Sequence, residues 1–140
     1  MELIKIVNEL KAGLKDSGVI TSDIQVIKDA VKEFPMFRDN IEDYIGWLVI
    51  TGSPFDTSGT DSLNITIGIS GLSSTDDDDY LQVVSKCLAT LKNALIYTSY
   101  IKDEDVETMN PVVDSELNGD SVISYIYTDI EIDMKQAYGS

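Results

Sequence analysis

The chain has 140 residues, of which 43% are apolar, and this predicts a single domain with a sizeable hydrophobic core. Its net charge is −15, and the excess lies beyond residue 38, because residues 1–38 hold six acids and six bases. So acidic a chain lacks the basic footprint that binding to a nucleic-acid backbone needs. Its longest apolar run, near residues 45–50, is far shorter than the roughly 20 residues that cross a membrane.

The acidic charge allows three interpretations. It can be a solvated surface that keeps the protein soluble, an acidic face for a basic protein partner, or a surface that repels nucleic acid. The last would suit a DNA mimic or the lining of a channel through which DNA passes. Composition alone leaves all three open.

The start of the chain lacks the pattern of a secretory signal, so we expect a protein that is made inside a cell. The single cysteine, Cys87, excludes an internal disulfide and fits a reducing compartment. Because Val83, Val84 and Leu88 surround it in the sequence, we expect a small core residue rather than a nucleophile.

The first third of the chain predicts two helical segments. Residues 1–14 place apolar side chains three and four positions apart, which is typical of a helix with one buried face. A short β segment is predicted at residues 19–21. A serine–aspartate pair then predicts the cap of a second helical segment over residues 22–34, which a proline ends.

The middle of the chain predicts two strands. Residues 44–50 are apolar on both faces, as in a central strand that is covered on both sides. Residues 52–62 are rich in turn-forming residue types and predict a turn or hairpin loop. In residues 63–70 leucine and isoleucine alternate with small or polar residues, which is the period of a strand with one buried face.

Four consecutive aspartates, beginning at Asp76 and ending at Asp79, precede an amphipathic helix over residues 77–95. Acidic side chains at a helix N-terminus face the positive end of the helix dipole and cap free N–H groups. We therefore predict that Thr75 or Asp76 is the N-cap. Binding of Ca²⁺ or Mg²⁺ by the same carboxylates is the alternative.

A long acidic excursion is predicted after the helix. A short strand is expected at residues 97–101. Residues 102–119 are polar, acidic and poorly periodic, and we interpret them as a long, flexible arm with a short β segment at Val112 and Val113.

The last predicted element is a long strand over residues 122–134, followed by a frayed tail at residues 136–140. One face of the strand is apolar, and the other carries Tyr125, Tyr127 and three acids. An exposed row of tyrosines beside acids suits a protein interface. It equally suits a strand whose second face is covered, and both interpretations stay open.

Together these elements predict one α+β domain over residues 1–140. The expected architecture is a single mixed, mostly antiparallel sheet packed by an N-terminal helix and a central amphipathic helix. A long acidic loop is expected before the last strand.

The sequence offers no catalytic constellation. The absence of histidine excludes Ser-His-Asp and Cys-His arrangements, and a single cysteine excludes zinc clusters. No glycine-rich phosphate-binding motif occurs. We therefore predict no catalytic, cofactor-binding or metal-binding residues, no cofactor and no enzymatic activity. Paired carboxylates keep a small enzyme or ligand-binding domain as a rival interpretation.

The order of elements resembles the tail terminators and related tail-completion or neck proteins of tailed bacteriophages. The most typical part is Leu-Asn-Ile-Thr-Ile-Gly-Ile at residues 63–69, followed by acidic residues, Tyr80-Leu81 and the helix. The other matching segments are residues 1–14, 44–50, 102–119 and 122–134. The extra helical segment at residues 22–34 departs from the family pattern.

This resemblance implies a structural virion protein, made in the host cytoplasm and located in the phage tail or neck. Such proteins form a ring, typically a hexamer, that caps the tail tube and offers a surface to the head–tail connector. The implied partners are therefore copies of itself, the tube protein and the connector, with no sequence-specific nucleic-acid binding and no membrane. An acidic monomeric adaptor or inhibitor, which mimics DNA or binds a basic protein, is the alternative.

We expect subunit or tube contacts in three places: the acidic excursion at residues 102–119, the predicted loop at residues 52–62 and the last predicted strand. The predicted interface residues are Asp103, Glu104, Asp105, Glu107, Val112, Val113, Asp56, Asp61, Tyr125 and Tyr127.

Overall fold

The computed structural model describes residues 2–28, 44–51, 62–99, 101 and 103–133. These residues form three helices and five strands. In chain order they are α1 (Glu2–Asp16), β1 (Gln25–Ile27), β2 (Tyr44–Thr51), β3 (Ser62–Ser74), α2 (Asp77–Tyr97), α3 (Asp103–Thr108), β4 (Val112–Asn118) and β5 (Ser121–Asp133).

The five strands make one sheet in the order β1-β2-β3-β5-β4. β1 runs parallel to β2, and the remaining neighbours are antiparallel. β3 and β5 pair along their whole length, so that Ser74 lies opposite Ser121. β4 pairs with the first half of β5, beginning with Val112 opposite Tyr127. The predicted α+β fold with a mixed, mostly antiparallel sheet is confirmed.

The main hydrophobic core lies between the sheet and helices α1 and α2. α1 contributes the apolar stripe that its spacing predicts, and β3 and β5 contribute every second side chain. α2 buries a face displaced from its predicted stripe of leucines and Val84: Val83, Cys87 and Ala94 are buried, whereas Leu81 is 58% exposed. The described side chains without solvent exposure in this core are Ile6, Leu10, Leu14, Leu48, Ile65, Ile67, Ile69, Cys87, Ala94 and Ile126.

Trp47 anchors the opposite face of the sheet and is 1% exposed. Its Nε1 donates a hydrogen bond to Ser70 Oγ at 2.9 Å, and its ring lies 5.7 Å from the Tyr127 ring, centroid to centroid. The indole lies directly over Gly68, where a Cβ atom would come within 2.4 Å of the ring. The interpretation of residues 44–50 as a central, doubly covered strand therefore agrees with the position of β2 between β1 and β3.

The segment after α1 differs from the prediction. Residues 25–27 form β1, whereas the sequence pattern predicts a helical segment over residues 22–34. Ile24 packs into the main core and Ile27 packs beside Trp47, so apolar side chains three apart serve opposite faces of a sheet. The remainder of the predicted helix, from residue 29 onward, lies outside the described residues.

Two short predicted strands are also absent from the described chain. Residues 19–21 are not a strand, although Ile20 is buried in the core. Of the predicted strand at residues 97–101, the described residues 97–99 and 101 are not in a strand, because α2 continues to Tyr97 before the chain turns.

The stretch predicted as a long acidic loop contains two regular elements, α3 and β4. Val106 of α3 is buried in the main core, and the predicted β segment at Val112 and Val113 extends to Asn118. The sequence of β4 beyond the two valines is mainly polar, and its strand conformation depends on pairing with β5. Residues 52–61 and the predicted frayed tail lie outside the described residues.

Candidate functional site

β4 forms one edge of the sheet. Its inner side pairs with β5, and no other strand of the described chain pairs with its outer side. Val112, Val113 and Leu117 on this strand are 46%, 45% and 78% exposed. A strand edge of this kind presents backbone donors and acceptors with which another strand can pair.

The side chains of β4 alternate between the two faces of the sheet. Val113 lies opposite Ile126, a core residue, so Val113 and Leu117 belong to the face that carries the helices. Asp114 and Glu116 belong to the other face. We call Val113 and Leu117, with Ser115 between them, the apolar row, and Asp114 and Glu116, which share their face with Val112, the acidic row.

Two hydrogen bonds fix this edge to the rest of the fold, and a third lies within β4. The hydroxyls of Ser115 and Tyr80 lie 2.9 Å apart, which ties β4 to α2. The Tyr125 hydroxyl donates to Glu116 Oε1 at 3.1 Å, and Asp114 Oδ1 accepts from the Ser115 backbone N–H at 2.9 Å. Edge strand and acidic row are thus held in place on both faces.

Four of the predicted interface residues have exposed side chains. They are Asp105, Glu107, Val112 and Val113. The Glu107 carboxylate lies 3.9 Å from Lys92 Nζ, but both side chains are more than half exposed, so this ion pair contributes little to stability.

The remaining predicted interface residues are distributed differently. Tyr125 is buried and Tyr127 is half-buried against Trp47, so the interpretation of a covered strand face fits these tyrosines. Asp103 and Glu104 lie in α3, but their side chains are outside the described residues, as are Asp56 and Asp61 altogether.

Leu117, Asp114 and Glu116 were not among the predicted interface residues. The signal that could have found them is the period of two over residues 113–118, which places Val113 and Leu117 on one face and Asp114 and Glu116 on the other.

Two of the four aspartates at the start of α2 make capping hydrogen bonds. Asp76 is the N-cap, and its Oδ2 accepts from the Asp79 backbone N–H at 3.2 Å. The Asp79 carboxylate in turn accepts from the Ser74 backbone N–H at 2.7 Å, and this bond lowers the pKa of Asp79. Of the two predicted N-cap residues, Thr75 and Asp76, the structure has Asp76.

No group of three or more acidic or cysteine side chains in the described chain is arranged to hold a metal ion. An open groove of about 1080 Å³ lies beside the N-terminal end of α2 and is lined in part by Asp79, Lys86 and Asp120. A cavity of about 210 Å³ lies between α2 and α3, with a mainly apolar lining that includes Val106.

Cys87 is a core residue, as predicted. It has no solvent exposure, and burial raises the pKa of its thiol to about 12, an effect that nearby Lys86 partly opposes. A thiol in this state is unreactive at neutral pH because the thiolate is the nucleophilic form.

We expect the protein to lose stability as pH rises from about 9 to 12. The pKa of Cys87 rises from 9.0 to about 12, and that of Tyr125 from 10.0 to about 12, chiefly through burial. The unfolded chain gives up both protons at lower pH than the folded one, so this contribution is complete below pH 9 and is lost above it.

Melting temperatures measured between pH 7 and 11 test this expectation. The alkaline decline should become shallower in the double variant Cys87→Ala/Tyr125→Phe. Tyr97→Phe, at a tyrosine that is 48% exposed, is the matched control and should leave the decline unchanged. An equally steep decline in the double variant would contradict the assignment.

Comparison with known proteins adds no family to this description. No known protein-family model matches the chain, and no curated protein matches it. Among the described helices, none is both long and apolar enough to cross a bilayer. The features of the molecule that bear on its function are therefore the β4 edge and the order of elements.

Proposed function

We propose that this protein is a structural assembly protein, not an enzyme, and that it forms a ring that caps a bacteriophage tail tube and joins it to the head or neck. The observation that carries the proposal is the open edge of β4, with Val112, Val113 and Leu117 exposed beside a well-packed core. Such an edge suits pairing with another chain rather than chemistry on a small molecule.

The phage assignment is supported by the order of elements. The chain has an N-terminal helix, two antiparallel strands, a helix packed on the sheet and a long final strand, in that order. This is the order expected for the tail-completion proteins that the sequence resembles. The proposed partners are further copies of the chain, the tail tube protein and the head–tail connector. The proposed location is the tail or neck of the virion, after synthesis in the host cytoplasm.

The charge distribution supports a role beside passing DNA. Beyond residue 38 the chain holds nineteen acids and four bases. Acidic side chains that face a lumen repel the phosphate backbone, so that DNA moves through without binding.

The proposal is tested by the native mass of the purified protein over a concentration series, with negative-stain images of the largest species. We expect a ring of about six subunits with a central opening, as closed cyclic assemblies require one repeated heterologous contact. A monomer at every concentration would contradict the ring. It would favour the alternative of an acidic adaptor, which the acidic row on β4 also suits.

Deleting residues 104–116 would be a poor test of the assembly surface. It would remove Val106 from the main core and most of the strand that covers the edge of β5. Exposed positions on β4 are better targets, because their side chains contribute little to the folded monomer.

A further inference from the structure

We propose that the β4 edge is a docking site for an extended, basic segment of a partner protein, which pairs with β4 as a sixth strand. This inference narrows the chemistry of the partner and does not rest on the phage assignment. It follows from the exposure, the register and the charges of residues 112–118.

The charges of β4 oppose pairing with a second copy of itself. Antiparallel self-pairing centred on Ser115 would set Asp114 opposite Glu116 at two places. The neighbouring two-fold registers, centred on Asp114 or on Glu116, would set each of these carboxylates opposite its own copy. Like charges directly opposite one another destabilise a strand pair.

A register shifted by a single residue offers no escape from this repulsion. Side chains alternate with a period of two, so paired residues must lie on the same face of the extended sheet. A one-residue shift would pair the apolar row with the acidic row, which a two-fold axis perpendicular to the sheet does not allow. Two-fold pairing of β4 with β4 of a second copy is therefore disfavoured in these registers, whereas the heterologous contact that closes a ring is not affected.

The same two rows define the strand that would fit. Opposite Asp114 and Glu116 the partner needs lysine or arginine, because opposite charges across a strand pair are favourable. Opposite Val113 and Leu117 it needs apolar side chains, which would cover surface that is now exposed. The expected segment thus alternates basic and apolar residues over about seven positions.

Charges on edge strands commonly serve to prevent unwanted pairing, and that role accounts for part of this pattern. It does not account for Leu117, which is 78% exposed on the same strand. A purely protective edge avoids large apolar side chains, whereas a docking edge needs them for specificity. Here the acidic row repels the acidic row of a second β4 strand and attracts a basic strand.

The first experiment uses a synthetic, end-blocked peptide with the sequence Lys-Val-Lys-Val-Lys-Val-Lys and the full-length protein. Fluorescence anisotropy at low and physiological salt measures binding. Hydrogen exchange measures whether the backbone amides of residues 112–118 become protected. We expect binding that weakens with salt, together with protection of this segment.

Two control peptides separate strand pairing from general attraction to an acidic protein. One has the same composition in blocks, Lys-Lys-Lys-Lys-Val-Val-Val, and the other carries N-methyl groups that remove the donors on its pairing edge. We expect both to bind more weakly and neither to protect residues 112–118. Equal binding and equal protection by either control would overturn the proposal.

Matched variants test the acidic row itself. Asp114→Asn/Glu116→Gln keeps side-chain acceptors, including one for the Tyr125 hydroxyl, and should weaken binding of the alternating peptide about three- to tenfold. Asp23→Asn/Glu131→Gln removes the same charge from two exposed positions away from β4, one just before β1 and one near the end of β5, and should leave affinity nearly unchanged. Equal losses in the two double variants would overturn the proposal.

The outcome is independent of ring formation. Peptide binding with a strictly monomeric protein would support the docking site and contradict the ring. A ring that does not bind the peptide would contradict the docking site alone.

Discussion

Replacing Gly68 with alanine is expected to lower the free energy of unfolding by about 2–3 kcal/mol. The added Cβ would lie 2.4 Å from the Trp47 ring, which is 1% exposed and held by the hydrogen bond from its Nε1 to Ser70. Burial and this hydrogen bond hold the indole ring in place, so the ring cannot easily move away from the added methyl group. Urea unfolding followed by circular dichroism measures the effect.

The control for this prediction removes the ring instead of the glycine. In a Trp47→Leu background the smaller side chain leaves room for a methyl group, so Gly68→Ala should then cost less than about 1 kcal/mol. A cost that is the same in both backgrounds would show that contact with the indole is not the cause.

Replacing Leu10 with alanine is expected to cost about 3 kcal/mol. Leu10 lies in the middle of the apolar stripe of α1 and has no solvent exposure, so its truncation leaves a cavity between α1, α2 and the sheet. Ile4 on the same helix is 58% exposed, and Ile4→Ala should change stability by no more than about 0.5 kcal/mol.

Thermal unfolding and urea unfolding of both α1 variants test this second prediction. Similar losses for Leu10→Ala and Ile4→Ala would contradict the docking of α1 through its predicted apolar stripe. Ile4→Ala gains slightly more helix propensity than Leu10→Ala, because isoleucine is β-branched, but this difference of a few tenths of a kcal/mol is much smaller than the expected packing effect.

The elements with a strong periodic pattern could be predicted from the sequence. α1 and β3 each show one apolar face, and the structure buries that face in the main core. α2 was predicted as a helix, but its buried face contains Val83 and Cys87, whereas Leu81 of the predicted stripe is exposed. The cap at Asp76 was equally accessible, because the aspartates stand where the strand pattern ends and the helical pattern begins.

The elements that depend on distant partners could not be predicted. β1 has three residues and exists through its pairing with β2, while the spacing of Ile24 and Ile27 imitates a helix. β4 is polar and acidic, and its strand conformation comes from the ladder with β5.

The candidate site was predicted in part. The apolar pair Val112 and Val113 marks the start of the exposed strand, and the excursion that contains it was correctly placed before the last strand. Tyr125 illustrates the limit of the approach, because alternation shows which side chains share a face but does not show whether that face is covered.

β5 pairs with one strand that is near in the sequence, β4, and with one that is distant in the sequence, β3. This difference bears on the order of folding. β4 joins β5 through a tight turn at Gly119, which has a φ of +64°, whereas β3 joins β5 across α2 and α3. Closing the short turn costs far less chain entropy than closing the long connection. We expect the β4–β5 hairpin to form first and to keep both of its edges open until β3 arrives, so that refolding, more than the native state, is the stage most exposed to aggregation.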